Sequence, residues 1–125
     1  MKKSLAGAAL VACAFTVVQP AAASAAEVTA EPALVHASVP NECKLNVRAG
    51  ADVGSTLLHT LTCTNYTTCA HAPEGDQPCG QIVVGGVYTC VGSDGKEVTD
   101  NRWAEVLWRS PQQSFVAVSC AAFRS

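Results

Sequence analysis

Apolar and polar positions alternate along much of this chain in short runs separated by turn residues. Leu45 and Val47 alternate with Lys44, Asn46 and Arg48, the period-two pattern of a strand with one face on a core. Ala49-Gly50-Ala51-Asp52 then supplies a turn, and the strand-like pattern resumes towards Leu61. Ile82–Val84 and Val87–Val91 read as short strands on either side of Gly85-Gly86, followed by a turn at Gly92-Ser93-Asp94-Gly95. Trp103–Trp108 alternates again, and Phe115–Ser119 forms the last run. No stretch of ten or more residues carries the amphipathic period of a helix. The expected class is all-β, a small barrel or sandwich.

The first 26 residues follow a different logic. Lys2 and Lys3 precede an uncharged stretch from Leu5 to Val18, and Pro20 leads into an Ala/Ser tail before Glu27. This is the layout of a secretory signal peptide, with cleavage expected after Ala26. The apolar stretch is shorter than the roughly 20 residues a spanning helix needs, so no stable membrane anchor is expected. Leu10-Val11-Ala12-Cys13 matches a lipobox, but the apolar stretch continues past Cys13, which favours a plain signal. Losing Lys2 and Lys3 with the leader takes the formal charge from −2 to −4. An acidic chain without a clustered basic face is not a nucleic-acid binder.

Six cysteines follow the leader: Cys43, Cys63, Cys69, Cys79, Cys90 and Cys120. An even number in a short exported chain predicts a disulfide framework, although 15 pairings are open. Cys63, Cys69 and Cys79 crowd one segment. If all six cysteines pair, at least one of these three must pair outside it; Cys69–Cys79 is the leading local bridge. Residues 62–81, Thr-rich and holding Pro73, Gly75, Pro78 and Gly80, read as a long stapled loop inserted into the domain. Residues 27–42 lack a period, contain Pro32 and Pro40, and read as an extended or disordered N-terminal arm. The domain proper is expected over residues 43–125.

Catalytic patterns are missing from the sequence: there is no Gly-x-Ser-x-Gly, His-Glu-x-x-His or phosphate-loop motif. Cys63, Cys69, His71 and Cys79 could hold zinc, but export to an oxidising space favours disulfides. Cofactor, metal and catalytic sites are therefore not expected. Asn65-Tyr66-Thr67 matches a glycosylation acceptor, a pattern too common to use alone.

The segment Leu45-Asn46-Val47-Arg48-Ala49-Gly50, followed by Ser55-Thr56-Leu57-Leu58-His59-Thr60-Leu61, resembles the opening of bacterial SH3 (SH3b) domains. Gly86–Cys90 is similar to that family's second strand, Trp103-Ala104-Glu105-Val106 to its W-x-x-V strand, and Phe115-Val116 to its terminal GWV. The resemblance covers about residues 44–123. It departs at the cysteine-rich insertion 62–81 and at Phe115, where the family has Trp. It implies a small SH3-like barrel, here stapled by disulfides, that binds cell-wall peptidoglycan or its peptides. The Ala-rich leader and scarce lysine are similar to exported actinobacterial proteins.

The candidate partner-binding residues are Asn46, Arg48, Tyr66, Trp103 and Trp108. Asn46 and Arg48 lie beside a tight turn, where polar side chains more often satisfy backbone than bind. Trp103 and Trp108, five residues apart, should face opposite sides of one strand, leaving one of them more exposed. The expected function is a secreted, non-catalytic binding module for a cell-wall ligand or extracellular protein. Two alternatives are an adaptor in a secreted toxin-like assembly, using residues 27–42 as its arm, and a peptidase inhibitor presenting the rigid loop 62–81.

Overall fold

The computed structural model describes residues 31–124. The leader, Cys13 and the cleavage site lie outside the described residues. Eight strands run in chain order: β1 (Leu34–Ala37), β2 (Leu45–Arg48), β3 (Leu57–Leu61), β4 (Thr67–Thr68), β5 (Ile82–Val91), β6 (Glu97–Arg109), β7 (Gln112–Ala117) and β8 (Ala121–Arg124). A 3₁₀ turn, Val118–Cys120, joins the last two. The all-β class holds.

The strands form two antiparallel sheets, one ordered β3-β2-β7-β6-β5 and the other β4-β1-β8. Isolated backbone contacts join them at their corners. The Ala37 amide donates to the Thr62 carbonyl at 3.1 Å, and Ala70 donates to Glu105 at 2.9 Å, beside a single bridge between Cys69 and Val106. These contacts do not make a continuous ladder. The two sheets share one core, and the small barrel expected from sequence is not closed.

The alternation in β2 works as the sequence implies. Leu45 and Val47 are buried and Asn46 is exposed. Their apolar partners come from both sheets: Val35 and Ala37 of β1, Leu61 of β3, Ala104 and Val106 of β6, and Val116 of β7. Full burial of each aliphatic side chain contributes about 1.5–3 kcal/mol. A smaller cluster of Tyr88, Cys90, Trp103 and Ala117 lies on the opposite face of the larger sheet. Trp103 belongs to this second cluster while its neighbour Ala104 belongs to the first, so β6 is covered on both sides.

Three features differ from the sequence expectations. The segment read as a free arm is structural from Ala33 onwards: β1 is the central strand of its sheet, pairing with β4 and β8, and Val35 and Ala37 are fully buried. Its short apolar period was masked by the flanking prolines. Gly85-Gly86 does not end a strand, because β5 runs through both glycines with a register shift between Val84 and Tyr88. The insertion 62–81 contributes the two residues of β4, and the rest is irregular.

The cysteines join as Cys43–Cys63, Cys69–Cys79 and Cys90–Cys120, with Cα–Cα separations of 4.8, 5.1 and 5.4 Å, inside the usual disulfide range. The local bridge is Cys69–Cys79, and Cys63 anchors the insertion to the chain just before β2. Cys69 and Cys79 are themselves part of the main core. The thiols that a zinc site in the insertion would need are thus oxidised and buried. Three disulfides point to an oxidising, extracellular environment. Among the described residues, no helix is long and apolar enough to cross a membrane.

Candidate ligand-binding cleft

The second face of the larger sheet holds a cleft of about 190 Å³. Its floor comes from Tyr88, Trp103, Ala117 and Cys120; its walls are Asn41, Lys44, Asn46 and Arg48 on one side and Val53 and Thr89 on the other. Strand geometry makes this arrangement. Because side chains alternate along β2, burying Leu45 and Val47 in the main core turns Asn46 and Arg48 to the opposite face, and Lys44, just before the strand, lines the same cleft. Register pairs Arg48 with Phe115 and Trp103 with Ala117, which sets the aromatic cluster beside that polar row.

The floor is rigid. Trp103 is 1% exposed, donates its indole N–H to the Gly86 carbonyl at 2.8 Å, and meets the Tyr88 ring edge-to-face at 5.2 Å, a favoured aromatic geometry. The Tyr88 hydroxyl donates to the Arg102 carbonyl at 2.7 Å and accepts from the Ser119 amide at 3.0 Å. Ser119 in turn donates its hydroxyl to Asp100 at 2.7 Å. The guanidinium of Arg102, bonded to Asp100 at 2.7 Å, holds that carboxyl well below the usual carboxylate range. Burial opposes this as the next largest effect, and the Ser119 hydroxyl and Asn101 amide add smaller contributions that lower it further.

The wall at Asn41 is fixed just as tightly. Its side-chain carbonyl accepts from the Val91 amide at 2.8 Å and its amide donates to the Lys44 carbonyl at 2.8 Å. The two residues that follow, Glu42 and Cys43, are left-handed, with φ of 59° and 55°. Such a conformation persists in non-glycine residues only where surroundings hold it, and here the Cys43–Cys63 bridge does so.

The donors on β2 are only partly engaged. Arg48 donates one guanidinium N–H to the Ser55 carbonyl at 2.9 Å, the structural role that its place beside the turn implied. Asn46 accepts from the Thr60 hydroxyl through its oxygen at 2.8 Å. Among the described residues, the ion pairs are His71–Glu105 and Arg102–Asp100, so neither Lys44 nor Arg48 has a carboxylate partner. No aspartate or glutamate lines the cleft.

Of the five candidates from sequence, the structure brings Asn46, Arg48 and Trp103 together at this cleft. Trp103 is floor, too buried to lie flat against a partner. Trp108 is on the other face, half-buried against the main core. It stacks on His59 with ring centroids 4.3 Å apart, and Arg109 lies 5.9 Å from its ring centre. Tyr66 is 52% exposed in the insertion, away from the cleft. Lys44 was legible as the outward neighbour of Asn46; Asn41, Val53 and Thr89 arrive through long-range packing and carry no local signal.

Among the described residues no group of three or more His, Cys, Asp or Glu side chains could hold a metal. The Ser119 hydroxyl faces a carboxylate, and the three histidines contact the Ala37 carbonyl, Trp108 and Glu105. No protein-family model matches the sequence, and neither the curated proteins nor the solved structures contain a significant match.

Proposed function

We propose that this chain is an exported, non-catalytic binding module that recognises a cell-envelope ligand or an extracellular protein through the cleft on the second face of its larger sheet. The observation that carries the reading is a rigid apolar floor bordered by polar side chains whose hydrogen-bonding capacity is not used up within the fold. Pre-organised sites of this kind bind with little ordering cost. The cleft is smaller than the roughly 300–1,000 Å³ of a typical small-molecule pocket, which suits a side chain or a short segment of a polymer. The SH3b-like motifs around Leu45–Gly50 and Trp103–Val106 agree with an envelope ligand.

Co-sedimentation with purified cell wall, and capture from the culture supernatant of the native organism, test the proposal. Asn46 is exposed, and Asn46→Tyr would plug the cleft without touching the core. The expected result is retention of the wild-type chain and loss of retention with Asn46→Tyr. Equal behaviour of the two chains would reject the cleft as the binding site.

One observation favours a second reading. Tyr66 stands half-exposed between Cys63 and Cys69, both held in disulfides, the form of a rigid loop that inserts into an enzyme. A panel of serine and cysteine peptidases decides it, with full residual activity throughout ruling inhibition out. Residues 34–37, within the 27–42 segment that the adaptor reading uses as its arm, are paired on both edges.

A further inference from the structure

Building on the binding reading above, we infer that the cleft's ligand is an extended acidic peptide segment, its carboxylates seated along β2. Asn46 and Arg48 occupy alternate positions of β2, so their side chains emerge on the same face about 6.6–6.8 Å apart, and Lys44, the residue just before the strand, lines the same cleft. Alternate side chains of an extended peptide have the same repeat. A peptide laid along β2 therefore meets donors in register: an ammonium, a side-chain amide and the guanidinium N–H groups that Ser55 does not engage.

Charge selects the ligand class. The cleft is lined by two cations and no carboxylate, in a chain whose formal charge is −4 after the leader is removed. Elsewhere Arg102 is paired with Asp100 and Arg109 sits over Trp108. Lys44 and Arg48 thus form a local positive row within an acidic surface, which draws in carboxylates at short range while the whole molecule repels long polyanions. Trp103 and Tyr88 form a floor for an apolar side chain and, being buried, give no exposed ring on which nucleobases could stack. The Asn41 wall is committed to Lys44 and Val91, so the site is set before binding.

Backbone amide NMR tests this on the disulfide-bonded chain, with a capped peptide of alternating Glu and Val, its Lys/Val counterpart, and polyphosphate as probes. The Glu/Val peptide should shift the amides of residues 44–48, Val53 and Thr89, and the Lys/Val peptide should not. Lys44→Glu, at an exposed position, should keep the wild-type melting temperature and weaken the Glu/Val peptide about tenfold or more, and added salt should weaken it too. Absence of shifts with the acidic peptide, equal shifts with the basic one, or stronger binding of polyphosphate would each overturn the inference. The binding reading fails separately. If Asn46→Tyr abolishes cell-wall or partner retention while Lys44→Glu and salt leave it intact, the cleft stands as the site and the acidic peptide falls.

Discussion

The indole N–H of Trp103 is 2.8 Å from the carbonyl oxygen of Gly86, whereas the buried indole N–H of Trp108 has no hydrogen-bond partner. The two tryptophans of one strand therefore contribute differently. Trp103→Phe removes ring volume and a hydrogen bond from a closed cluster; Trp108→Phe removes ring volume and a buried donor that was unsatisfied. Losing a partnered bond costs about 1–3 kcal/mol, and removing an unpaired buried donor offsets part of the packing loss. Urea unfolding should show Trp103→Phe the more destabilised by at least about 1 kcal/mol. Equal losses would contradict the assignment.

Gly85 is required for close approach rather than for turn freedom. A Cβ there would overlap the Ala51 carbonyl oxygen and lie 2.9 Å from Cδ1 of Trp103. Gly95 has a φ of +78° with open space around it. Gly95→Ala should cost only the left-handed penalty of about 1–2 kcal/mol. Gly85→Ala forces the 49–53 turn off the sheet, costing about 1–3 kcal/mol or more, and should perturb the cleft amides as well. Thermal melts with a spectrum of each variant separate the two mechanisms.

The depressed carboxyl of Asp100 makes acid stability depend on one ion pair. Its folded pKa lies below the unfolded value of about 3.9, so its contribution is complete above that pH and fades as the pH falls beneath it. Arg102 is half-exposed and solvent screens the pair, so the contribution is about 1 kcal/mol. Asp100→Asn should lower stability at neutral pH by that amount and flatten the decline below pH about 4. An unchanged acid slope would show that other carboxylates dominate.

Val35 should behave as a core residue. Val35→Ala is expected to cost about 2 kcal/mol and Val35→Asp to abolish folding, measured by circular dichroism and soluble yield. Deletion of residues 27–40 should likewise unfold the chain rather than merely release a partner.

Peptide mapping without reduction should recover Cys43–Cys63, Cys69–Cys79 and Cys90–Cys120, with no free thiol among these six cysteines. Loop entropy alone ranks Cys90–Cys120, whose partners are separated by 30 positions in sequence, above Cys69–Cys79, separated by 10, by only about 1 kcal/mol. Burial of both sulfurs of Cys69–Cys79 in the main core opposes that order. Removing this pair should therefore destabilise the fold at least as much as removing Cys90–Cys120.

Elements whose apolar period is carried by large side chains were readable from sequence: Leu45/Val47 on β2, Trp103 to Trp108 on β6, the run after Phe115. β1 was not. Its inward residues Val35 and Ala37 are small, the apolar Leu34 on the other face and the flanking prolines disguise the period, and it is stabilised by strands distant in the chain. The cleft was half legible. Asn46 and Arg48 announce themselves beside a turn, and the face they share with Lys44 follows from alternation. What the sequence does not carry is that residues 41, 53 and 89 converge on that face, because convergence is set by the register shift in β5 and by the turn pressed against Gly85.

The pairing of β1 with β8 places Val35 against Phe123 and Ala37 against Ala121. The smaller sheet cannot be completed until residues 121–124 are present to pair with residues 34–37. Until then Val35 and Ala37 lack one neighbouring strand. Completion of the fold thus waits on a segment far along the chain, and removing residues 121–124 should leave a product that never locks.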